Sequence, residues 1–95
     1  MLLLGIRLWN TLIYYELMNK IIDYIKQHHF RLVCENKTLF RFENQDLMLQ
    51  ITLTNKNGVL RCEVADLFGE VVFKGVLFDF KDLQFVFKCV INVYE

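Results

Sequence analysis

Residues 47–65, LMLQITLTNKNGVLRCEVA, decide the fold. Leu47, Leu49, Ile51 and Leu53 take alternate positions, with Met48, Gln50, Thr52 and Thr54 between them, which is the period of a half-buried strand. Asn57-Gly58 follows, the pair that best tolerates positive φ at both central positions of a two-residue type I′ turn. Counting back from this turn sets Lys56 opposite Val59, Thr54 opposite Arg61, Leu53 opposite Cys62, Thr52 opposite Glu63 and Ile51 opposite Val64. Apolar residues then meet apolar ones and polar meet polar, whereas a slip of one residue would mix the two faces.

The neighbouring strands must deliver their apolar residues to the same face. A four-residue loop at 43–46 places Phe42 opposite Leu47 and Phe40 opposite Leu49, and a tight turn at Phe68-Gly69 places Val64 opposite Phe73. Residues 30–35 and 38–43 read as an earlier pair of strands around Asn36-Lys37. The expected core face is Phe40, Phe42, Leu47, Leu49, Ile51, Leu53, Cys62, Val64, Val71 and Phe73, with Thr52, Thr54, Arg61, Glu63 and Lys74 on the polar face. The sheet is thus an antiparallel meander of about five strands, one face of which is free for helices to cover.

Two segments supply candidate cover. From Tyr14 to His28 the polar residues Glu16, Asn19, Lys20, Asp23, Lys26 and Gln27 recur every three or four positions. Tyr14, Leu17, Met18, Ile21, Ile22 and Ile25 fill the opposite stripe of an amphipathic helix. In the C-terminal segment, Lys81, Gln84, Lys88, Asn92 and Glu95 make a helical polar stripe, and Asp79 with Asp82 reads as an N-terminal capping pattern. Leu83, Phe85, Phe87, Cys89, Ile91 and Val93 also alternate as a sixth strand would. A second helix is favoured, because five strands need more cover than one helix gives. The fold class is therefore α+β.

Ninety-five residues suffice for a single domain, 1–95, with one core. Hydrophobic residues make up 55% of the chain and nine are Phe, an apolar supply that argues for a folded domain and for a protein partner or a homodimer. Eleven basic residues balance eleven acidic ones without segregation, so charge offers nucleic acid no footprint. Cys34, Cys62 and Cys89 are odd in number and widely spaced, which disfavours a disulfide framework or a zinc site and fits a reducing cytoplasm.

Residues 1–17, MLLLGIRLWNTLIYYEL, are apolar, but Arg7 and Asn10 interrupt them and no cleavage pattern follows. They also fall short of the roughly 20 apolar residues of a membrane span. One reading makes them an upstream extension with Met18 as the alternative start; another runs the helix back to Asn10 or Thr11, capped by a side-chain oxygen.

No catalytic, cofactor or metal motif is present. The four scattered glycines build no phosphate cradle. The histidines are the adjacent pair His28 and His29, with Cys34 as the nearest nucleophile and no third group to orient them. The aromatic residues at the two ends, Trp9, Tyr14 and Tyr15, and Phe78, Phe80 and Phe85, are the candidate partner interface. The expected function is a small non-enzymatic protein-binding module. By base rates it would be an inhibitor, immunity or anti-defence protein of a low-GC bacterium or mobile element, a source inferred from the abundance of Phe, Tyr, Ile, Asn and Lys. The alternatives are a small enzyme or enzyme subunit using the Cys/His pair, and a membrane-associated protein using residues 1–17.

Overall fold

A computed structural model describes the backbone of residues 2–95 and the side chains of residues 15–95. The chain runs through helix α1 (Leu2–Gln27), strands β1 (Arg31–Glu35), β2 (Leu39–Asn44), β3 (Leu49–Lys56), β4 (Val59–Asp66) and β5 (Val71–Leu77), and helix α2 (Phe80–Val86). A π-helical segment (Phe87–Ile91) and a 3-10 turn (Asn92–Tyr94) continue α2 to the C-terminus. The strands form one antiparallel sheet in the order β1-β2-β3-β4-β5, and the helices cover one of its faces.

The β3–β4 hairpin is the one read from residues 47–65. Asn57 and Gly58 both have positive φ, 56° and 77°, and every pair from Lys56–Val59 to Ile51–Val64 is as counted. Leu49, Ile51, Leu53, Leu60, Cys62 and Val64 are buried on the covered face. Each large aliphatic side chain among them contributes roughly 2 kcal/mol by leaving water.

The loop before this hairpin lies two residues later than expected. Phe42 faces Ile51 rather than Leu47, and Phe40 faces Leu53 rather than Leu49. The four-residue loop is 45–48, because Asn44 extends β2 and is buried, with its Oδ1 accepting from Leu47 N at 3.0 Å and its Nδ2 donating to His28 O at 3.4 Å. Met48 takes the left-handed conformation, φ 58°, that closes the turn.

The β1–β2 turn is closed by Asn36, whose N–H donates to Leu39 O at 2.9 Å and whose Oδ1 accepts from the N–H groups of Thr38 and Leu39. In the β4–β5 turn, Asp66 Oδ1 accepts from Phe68 N and Glu70 N, both at 2.9 Å, and Gly69 sits at φ 96°. Val64 faces Phe73 as expected, but Ala65 faces Val71, which leaves Val72 as an extra residue in a bulge. The bulge corrects one core assignment: Val71 is 47% exposed, and Val72 packs against the core in its place.

Helix α1 begins well before the expected Tyr14 and before the alternative start at Asn10 or Thr11. Among the described residues, its buried positions are Met18, Ile21 and Ile25, with Leu17, Ile22 and Tyr24 packed beside them. No helix among the described residues is long and apolar enough to cross a membrane. At the C-terminal end, His29 N–H donates to Lys26 O and Phe30 N–H to Ile25 O, with His29 at φ 67°. These two bonds and the buried Ile25–Phe30 pair make a Schellman cap whose left-handed position holds a histidine instead of glycine.

The C-terminal segment is helical. Asp79 accepts from Asp82 N and Asp82 accepts from Asp79 N, both at 3.1 Å, a reciprocal capping box. The alternation of residues 83–93 resolves into two lines at spacing four: Leu83, Phe87 and Ile91 are buried, while Phe85, Cys89 and Val93 are exposed. Phe80 meets Tyr24 edge-on at 5.1 Å, and Phe87 meets Tyr24 at 5.0 Å and Phe30 at 5.9 Å, so α1 and the C-terminal helix pack beside one another.

His29→Gly relieves the left-handed strain at the cap and raises stability by about 0.5–1 kcal/mol, read as a shift in the urea midpoint. Asn55 stands opposite Leu60 on the covered face, and its buried Oδ1 has no hydrogen-bond partner among the described residues. Asn55→Leu, close in volume and without a polar group to desolvate, raises stability by about 1–2 kcal/mol in the same assay.

Candidate interaction surface

His28 and His29 occupy the end of α1 in different settings. His28 Nδ1 lies 2.8 Å from the Tyr24 carbonyl, which only accepts, so Nδ1 carries the proton and donates. Its ring makes a three-ring cluster with those of Tyr24 and Phe87, tilted against each, at 4.3 and 4.6 Å between centroids. His29 is exposed at the cap. Both line an open cleft of about 440 Å³ that Asp46 and Glu95 also reach and Cys34 does not. Cys34 is exposed on β1, four residues beyond Phe30 and roughly 13 Å along the strand by its rise per residue. The structure therefore does not bring the Cys/His pair together. No group of three His, Cys, Asp or Glu residues able to hold a metal ion occurs among the described residues.

The three thiols are free, and they differ in access. Cys62 is buried between the sheet and the helices; burial, helped by the adjacent Glu63 carboxylate, pushes its thiol up from 9.0 to about 12. Cys34 and Cys89 are exposed.

The uncovered sheet face carries the cross-strand row Arg41, Thr52, Glu63 and Lys74, in which one hydroxyl separates Arg41 from Glu63 and Glu63 stands directly opposite Lys74. Arg41 Nε donates to Thr52 Oγ1 at 3.4 Å. Such a face is well solvated as it stands, and the apolar signal lies elsewhere.

Of the six aromatic residues picked out in the sequence, Phe78 and Phe85 are 83% and 64% exposed, and Tyr15 is also on the surface. Phe80 is half-buried in the helix–helix contact, with Lys20 Nζ 5.0 Å from the centre of its ring. The side chains of Trp9 and Tyr14 lie outside the described residues. The sequence reading did not pick out the two most exposed of the remaining apolar residues among those described. Phe68, 85% exposed, is the tip of the turn that Asp66 closes, and Val93, 76% exposed, extends the outer line from Phe85 through Cys89. Helical spacing of four within residues 83–93 was the signal for that line. Its charged neighbours are mixed in sign, with Lys81 and Lys88 exposed along it and Asp79 and Glu95 exposed at its ends. No protein-family model, curated protein or solved structure matches the chain.

The thiols give a pH test. The folded pKa of Cys62 lies above the unfolded one, so its contribution to stability is complete below about pH 9 and is lost as pH rises toward 12. The loss approaches about 1 kcal/mol per pH unit within that window. Denaturant titrations between pH 8 and 11 show a decline that Cys62→Val reduces, and a thiol reagent at pH 8 modifies Cys34 and Cys89 in the native protein but reaches Cys62 only after unfolding.

Proposed function

We propose that this chain is a non-catalytic protein-binding module that docks through the outer line of its C-terminal helix. The carrying observation is that Phe85, Cys89 and Val93, spaced by four and all exposed, continue a helix whose opposite line, Leu83, Phe87 and Ile91, is buried in the core. Large apolar side chains kept in water by a small domain with buried alternatives mark an interaction surface. A ridge with anchors at this spacing fits an apolar groove on another protein.

Free thiols support a reducing cytoplasm as the place of action, and the composition supports a low-GC bacterial or mobile-element source. Among such proteins the inhibitor, immunity and anti-defence classes are the reading that base rates favour.

Phe85→Ser/Val93→Ser tests the proposal. Both side chains are exposed, so the variant keeps the thermal stability of the wild type. A protein captured from source cells by the wild type, and then shown to bind the purified chain directly, loses affinity for the variant by roughly tenfold or more. Equal binding by both forms overturns the proposal, as does an empty capture at native abundance.

A further inference from the structure

The sheet has two edges, and they differ in how they are protected. β1 is five residues long, carries Arg31 and Glu35 at its ends, and leaves register at Val33, where a bulge interrupts its pairing with β2. Short length, terminal charge and a bulge all discourage a further strand from pairing there. β5 confines its irregularity to Val72, and from Phe73 to Leu77 it holds unbroken register with β4. Its outer edge is a regular row of backbone donors and acceptors.

Gly75 lies at the middle of that row. The tip of the Phe73 ring folds along the strand and comes within 2.9 Å of where a Gly75 Cβ would stand. The glycine is therefore a notch filled by the ring from two residues away, and that ring is only half-buried.

We propose that β5 pairs antiparallel with β5 of a second copy of this chain, about a two-fold axis at Gly75. In this register Phe73 faces Leu77 of the second copy and Lys74 faces its Val76. Residues directly opposite share a face, so apolar residues meet on the helix-covered side. Centring the axis on Lys74 instead would set two like charges directly opposite. With glycine facing glycine, the two Cα atoms approach to about 5 Å, and the Phe73 rings lying over them flank the axis at a similar distance, within the range of aromatic pairs. The two five-stranded sheets become one continuous sheet with the helices of both copies on the same side. This surface is separate from the outer line of the C-terminal helix, so either can fail without the other.

Sedimentation velocity of the full chain across a concentration series tests it. The wild type shows a species of twice the 11.4 kDa chain mass. Val76→Lys places like charges across the seam at two symmetric positions and weakens dimerisation roughly tenfold, while Val76→Glu strengthens it by a similar factor. Circular dichroism confirms that both variants are folded, and Phe85→Ser leaves the dimer intact. A wild type that stays monomeric throughout overturns the proposal. So does a dimer that responds alike to Val76→Lys and Val76→Glu, or one that Phe85→Ser dissolves.

Discussion

The apolar face of the sheet must be withdrawn from water, and everything else in the fold follows from how that is done. Leu49, Ile51, Leu53, Cys62 and Val64 stand on that face because the Asn57-Gly58 turn places them there, and none retains contact with solvent. Two helices bring matching stripes, Met18, Ile21 and Ile25 from one and Leu83, Val86, Phe87 and Ile91 from the other. Neither helix alone presents a stripe wide enough for five strands. The packing of Tyr24 against both Phe80 and Phe87 is where the two covers are joined.

The polar groups drawn into this core are few, and most have work to do there. Asn44 joins the end of α1 to the β2–β3 loop by using both ends of its amide. His28 spends its Nδ1 proton on the Tyr24 carbonyl and packs its ring against two aromatic neighbours, which explains its place at a helix end without recourse to chemistry. Cys62, neutral and buried, behaves as a small hydrophobe. Among the described residues, the apolar side chains left in water include Phe85 and Val93 on the outer side of the C-terminal helix, Phe78 ahead of it, Phe68 at the β4–β5 turn and Val76 on one sheet edge.

Much of this architecture was legible in the chain, for reasons that also mark the limits. A strand repeats every two residues, so a test of faces detects a slip of one and is blind to an even displacement. That is why the β3–β4 register could be counted from the turn while Phe42 was assigned to Leu47 instead of Ile51. A bulge changes parity locally and leaves no signature in composition, so Val71 and Val72 exchanged roles. Residues 83–93 satisfied the period of a strand and that of a helix together, and the Asp79–Asp82 cap was the discriminating sign. The candidate surface was half visible: exposed aromatics could be suspected, but Phe80 and Phe85 differ only in which side of a helix they occupy.

The strictly sequential strand order bears on how the chain is born. Each strand pairs with its immediate predecessor across a short turn, so every loop closure is brief and the sheet can grow outward from one hairpin. Helix α1 has no such local partner. Its Tyr24 contacts at Phe80 and Phe87 lie more than fifty residues downstream, so this part of its packing waits until the C-terminal segment has been translated. A helix on the N-terminal side of the sheet thus completes its packing only when the helix on the C-terminal side has been made, and the two covers close together.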